Sequence, residues 1–148
     1  MGLAGRQRAD EGEPRSYTGI KTKETLRMGI EEKLNDAAFE YYSRLRRVKD
    51  YVEQHLSDDL SLKRAASIAG VGEKYFSTFF HAKTGVCYRD WVASVRVQRA
   101  MQIFEATNHP VIGVCSLVGF RDLRTFQRAF KKQTGMTPLE YKKSVRPC

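Results

Sequence analysis

A pattern that occurs twice constrains this chain more than any other feature. Gly70-Val71 is followed by Phe76, Phe80 and Thr84-Gly85; further on, Gly119-Phe120 is followed by Phe126, Phe130 and Thr134-Gly135. In each copy the phenylalanines stand four residues apart, and the closing glycine follows five residues later. That step keeps both rings on one face of a helix. Ahead of each opening glycine lies a shorter helical stretch, Ser61 to Ala69 in the first copy and Val111 to Val118 in the second. Small or apolar residues occupy the positions where two helices must cross closely: Ala65, Ala66 and Ala69, then Val114, Cys115 and Val118. Glycine at a helix end can take the left-handed conformation that turns the chain sharply, so each copy predicts a helix-turn-helix. A plain helical hairpin explains one isolated copy equally well. Two copies joined by a helix in a basic segment weigh against it.

Helical periodicity continues through the rest of the chain, interrupted at Gly70-Val71-Gly72, Thr84-Gly85, Asn108-His109-Pro110, Gly119 and Gly135-Met136-Thr137-Pro138. Strand signals are scarce. The predicted fold class is all-α: two helix-turn-helix units joined by a long linker helix, about seven helices with a short helical N-terminal extension. The linker runs from Cys87 or Tyr88 to Glu105, with Trp91, Val95, Ala100, Ile103 and Phe104 on its buried side. About 17 residues at 1.5 Å each give a spacer of about 25 Å, which with its flanking units approaches the roughly 34 Å between successive major-groove turns of DNA.

Toward the N-terminus, residues 1–19 lack an apolar period and predict a disordered tail. From Leu26 a stripe of Leu26, Ile30, Leu34, Ala37, Tyr41, Leu45, Val48 and Val52 predicts amphipathic helix, divided by a cap at Asn35-Asp36. Residues 44–56 are expected to pack into the core. Residues 24–40 either dock on the domain, the favoured alternative, or bury their stripe in a second subunit. The expected organisation is a tail over 1–19, a helical extension over 20–43 that could support self-association through 24–43, and a double helix-turn-helix domain over 44–146.

Charge is distributed unevenly. Residues 1–43 carry 7 Lys/Arg and 8 Asp/Glu, whereas residues 44–148 carry 19 and 9. A basic field confined to one segment suits a polyanion, because contacts with phosphates release condensed counterions. The exposed faces sharpen this. At 100° per residue, the positions opposite Phe126 are Arg124, Arg128 and Lys131, with Thr125 and Gln127 flanking and Lys132 near the helix end. Arginine can contact guanine edges, and both cations can contact phosphate. The same construction about Phe76 gives Lys74, Thr78 and His81, with Ser77 flanking. These donors offer less bidentate discrimination than arginine, so the second unit is expected to carry more of the sequence preference.

Other chemistries find little support. Cys87, Cys115 and Cys148 form no CxxC pattern or disulfide framework; the first two are expected to be small core residues and the third exposed. His81, His55 and His109 have no partner at ligand spacing, so neither a metal nor a cofactor is expected. His55 is expected at a helix end and His109 in a loop. No nucleophilic cysteine constellation exists for a repair enzyme, and no catalytic residues are assigned. No apolar run is long enough to span a bilayer and the N-terminus has no secretory h-region, so the expected location is the cytoplasm, with no membrane partner.

These residues resemble a known family. The stretch GFRDLRTFQRAFKKQTGMTPLEYKK, residues 119–143, is similar to the signature of the AraC/XylS family of bacterial transcriptional regulators. The similarity is carried by Gly119-Phe120, Phe126, Arg128, Phe130, Lys131, Gly135, Pro138 and Tyr141, and extends to Arg96, Arg99, Ala100 and the run SLKRAASIAGV. It covers residues 44 to 146. The resemblance implies seven helices, two recognition helices in adjacent major grooves of double-stranded promoter DNA, and activation through contact with RNA polymerase. A non-specific architectural DNA-binding protein is the alternative that the charge alone would permit. Two positions depart from the family pattern: Gly72 stands where serine commonly opens the first recognition helix, and Thr78 where arginine is common. Many members carry a β-rich sensing module. The 43 residues ahead of Arg44 are too few for one, so no bound effector is expected on this chain.

Overall fold

The structure is a computed structural model that describes residues 33–146. Eight helices make up the described residues: α1 (Ala37–Tyr41), α2 (Ser43–Gln54), α3 (Leu62–Ala69), α4 (Glu73–Thr84), α5 (Tyr88–Ala106), α6 (Val111–Leu117), α7 (Leu123–Thr134) and α8 (Pro138–Val145). No strand occurs among them.

Local chemistry starts and stops the helices. Ser61 Oγ accepts the Arg64 N–H to open α3, and Asp122 Oδ1 accepts the Thr125 N–H at 2.7 Å to open α7. A reciprocal box between Thr137 and Glu140 opens α8, with Pro138 in its first turn, where a missing N–H costs nothing. α4 begins at Gly72 without any side-chain cap. At the far ends of α4 and α7, Gly85 and Gly135 are left-handed, with φ of +88° and +81°. The threonine before each glycine is buried and donates Oγ1 to the carbonyl one turn back, Thr84 to Phe80 and Thr134 to Phe130. Each hydroxyl also accepts the N–H two residues on, at Val86 and Met136. The repeated Thr-Gly is thus a built helix stop.

Packing forms two cores strung on α5. In the first, Leu45, Val48 and Val52 of α2, Ala65, Ala66 and Ala69 of α3, and Phe76 and Phe80 of α4 close on Tyr88, Trp91 and Val92. In the second, Val97, Ala100, Met101 and Phe104 meet Val114, Cys115, Phe120, Phe126, Phe130 and Tyr141. The four repeat phenylalanines are 0% exposed. Full burial of each side chain is worth about 1.5–3 kcal/mol.

Three expectations are corrected. Ala37 and Tyr41 do not continue the apolar stripe: both are exposed, and Ala38 and Phe39 are buried instead. The reason is a break at Tyr42, whose extended backbone (φ −100°, ψ 114°) separates α1 from α2 and resets the helical phase. Phe39 then stacks on Trp91 with centroids 5.0 Å apart and meets Phe80 edge-on, so α1 docks on the first unit. Cys87, expected in the core, is exposed, because it is the extended residue preceding α5 rather than part of the helix. Along α5, Val95 and Ile103 are only half-buried, while Tyr88, Val92, Val97 and Met101 are buried. A helix gripped by two units in succession has no single buried stripe. Cys115 is buried, His55 caps the C-terminal end of α2 and His109 lies in the loop before α6. The expectations for the tail, for residues 20–32 and for Cys148 lie outside the described residues.

Candidate nucleic-acid interface

The second helix of each unit is held by one face and free on the other. Phe126 and Phe130 hold α7 in the second core, and Arg124, Thr125, Gln127, Arg128, Lys131 and Lys132 are all exposed. Phe76 and Phe80 hold α4 in the first, and Lys74, Ser77, Thr78 and His81 are likewise exposed. Every candidate binding side chain therefore stands in solvent.

The turns that set these faces are of one kind. Gly70 (φ +77°) ends α3, and Gly119 (φ +97°) follows α6 by two residues, each bending the chain before the exposed helix begins. Arg44 and Arg47 of α2 donate to the Ala69 carbonyl, neutralising the C-terminal end of α3.

The two exposed helices border one cleft of about 1190 Å³. Ser77 of α4 and Thr125 of α7 both line it, so each exposed helix contributes a residue to one opening. Arg89, Arg121, Asp90 and Asp122 line it as well. The Asp122 carboxyl is held below its usual range by the Thr125 N–H and hydroxyl, which commits its charge to capping α7. Thr125 is correspondingly less available to an outside acceptor than the sequence suggests. Arg89 and Arg121 are exposed cations of this cleft that the sequence analysis did not single out. Both lie at helix starts or in a turn, where an azimuthal construction around a buried phenylalanine does not reach.

No group of three or more His, Cys, Asp or Glu able to hold a metal occurs among the described residues. None of the described helices is long and apolar enough to cross a membrane.

A glycine-turned helix pair, repeated on either half of one shared helix, defines a double helix-turn-helix module. The chain belongs to the AraC-type family of such modules: a family model described as a helix-turn-helix domain matches residues 65–144, more than half of the chain. Its members are DNA-binding regulators rather than enzymes. Among relatives, the HTH-type transcriptional regulator YobQ of Bacillus subtilis, itself uncharacterized, is 30% identical over 95 residues, 64% of this chain and 39% of that protein. The chain thus spans well under half of that relative. The DNA-binding domain of the global transcriptional factor AdpA, solved in complex with a target DNA, superposes with a TM-score of 0.67 at 25% identity, covering 70% of this chain and 94% of that one. An AraC-type regulator from Chromobacterium violaceum shares the fold, with a TM-score of 0.64 at 20% identity over 72% of this chain and 96% of that one.

Proposed function

We propose that this protein is a sequence-specific transcriptional regulator that inserts α4 and α7 into successive major grooves of promoter DNA. The observation that carries this reading is the face of α7: Arg124, Arg128 and Lys131 stand in solvent on the side away from Phe126, which with Phe130 is fully buried. A helix so held presents its cations at fixed azimuths, as groove reading requires. Similarity to a domain solved with its target DNA supports DNA as the ligand.

Within this reading, α7 supplies the stronger discrimination through Arg124 and Arg128, with Gln127 beside them and Lys131 and Lys132 on phosphate. α4 contributes Lys74, Ser77, Thr78 and His81, which hold position more than they read bases. The double helix-turn-helix domain is assigned to 44–146, with 20–43 as an extension that supports docking or self-association. The regulatory sign we assign is activation, through contact with RNA polymerase, which rests on the family resemblance; the location we assign is the cytoplasm.

Selection of binding sites from random duplexes tests the proposal. A two-part motif is expected, and Arg124→Ala and Arg128→Ala should degrade the same part of it. Equal affinity for selected and random duplexes would instead identify a non-specific architectural protein.

A further inference from the structure

The two units touch each other directly as well as through α5. Arg96, half-buried midway along α5, donates Nε to the Leu56 carbonyl at 3.1 Å and Nη2 to the Asp58 carbonyl at 3.4 Å. Both carbonyls belong to the loop after α2, in the first unit. The same guanidinium lies over the ring of Phe120, in the turn of the second unit, 5.9 Å from its centroid. Phe120 packs in turn on Phe126 of α7, with centroids 5.1 Å apart. Beside it, Gly119 brings the turn so close to the loop that a Cβ would stand 2.1 Å from the Leu56 carbonyl oxygen. An unbroken line of contacts therefore runs from the first unit's loop, through one guanidinium, to the second unit's recognition helix. Guanidinium suits this place because its planar fork serves two carbonyls while its face covers a ring, which an ammonium cannot do together.

We propose that Arg96 is a positioning residue: with Gly119 and Phe120 it locks α4 and α7 at one separation and angle, so that two half-sites are accepted at only one spacing. α5 alone holds the units along a single line and, like any long helix, can bend. A second point of contact away from its axis removes that freedom. The inference rests on the two-groove reading above.

Two measurements test it. The first needs no DNA: amide residual dipolar couplings of the free 148-residue protein. Wild type should fit one alignment tensor across both units, whereas Arg96→Ala should need two. The second uses selected duplexes with base pairs added or removed between half-sites, each of which turns one half-site by about 35° and moves it about 3.4 Å relative to the other. Wild type should lose about tenfold or more in affinity on leaving the optimum, the size of one mismatched pair. Arg96→Ala should flatten this curve to within about threefold while the base preference inside each half-site is kept. Should Arg96→Ala fail to fold, Arg96→Lys, which retains charge and stem, is read by the same two measurements with the same expected direction. Separate tensors in wild type, or folded Arg96 variants with the wild-type tensor and spacing curve, would overturn the proposal. A protein that fits one tensor yet selects no duplex sinks the two-groove reading while the joint itself stands.

Discussion

At the scale of single residues, the two exposed helices differ in chemistry at matching positions. Thr78 of α4 occupies the place that Arg128 takes in α7, each two residues beyond the first buried phenylalanine. Arg128→Ala should cost about 1–3 kcal/mol on a selected site and relax preference at one base, whereas Thr78→Ala should cost no more than the roughly 0.5–1.5 kcal/mol of a neutral hydrogen bond. Fluorescence anisotropy titrations against selected and single-base-variant duplexes measure both. Asp122 predicts a pH effect. Bonds from Thr125 lower its carboxyl below the ordinary value, so the folded state binds its proton less tightly than the unfolded state does. Its contribution is full above the unfolded pKa and disappears as pH falls through the lowered folded one. Urea midpoints followed downward from about pH 5 should therefore decline less steeply in Asp122→Ala than in wild type. Of these residues, Arg128 was legible because a helical step from Phe126 reaches it. The cap at Asp122 was not singled out, and it is what occupies the neighbouring Thr125 hydroxyl.

At the scale of elements, two glycines make opposite predictions from their surroundings. Gly72 precedes α4 with φ −76° and ψ 161°, a conformation open to any L-residue, and a Cβ there meets nothing within 4 Å. Gly72→Ser adds a hydroxyl cap and reduces unfolded-state freedom, so it should stabilise by about 0.5–1 kcal/mol. Gly119 combines φ +97° with the close approach to Leu56, and Gly119→Ala should destabilise by at least about 1–3 kcal/mol. Thermal melts of the two variants should move in opposite directions. The helices themselves are largely readable: the sequence predicts α5 from Cys87 or Tyr88 to Glu105 and it spans Tyr88–Ala106, because a periodic run bounded by Thr84-Gly85 and by Asn108-His109-Pro110 marks its own ends. The apolar spacing puts α1 out of phase because nothing local in Tyr42 announces an extended residue. Phe39 decides the matter by entering a core built from α4 and α5, residues far away in sequence. The joint at Arg96 was unreadable for the same reason, since its partners lie 38 and 40 residues back.

For the whole molecule, the question is how two units of one fold share a single binding event. Each places its second helix beside the same cleft, yet the exposed face of α7 carries Arg124, Arg128 and Lys131 where α4 carries Lys74, Thr78 and His81. The architecture is repeated and the charge is not. If binding energy follows charge and bidentate donors, the half-sites should be unequal: scrambling the part of a selected duplex read by α7 should cost more than scrambling the part read by α4. Salt separates the two sources of that inequality. Affinity falls with salt in proportion to the number of phosphates contacted, so Lys132→Ala should reduce the slope of log K against log salt by about 1 while weakening all duplexes alike. A base-reading arginine behaves in the opposite way, changing preference between duplexes more than slope. Titrating scrambled duplexes at several salt concentrations thus assigns each half-site its share. Equal losses for the two scrambled parts, with equal salt slopes, would mean that α4 reads as much sequence as α7 and that the cationic face of α7 serves only to grip the backbone.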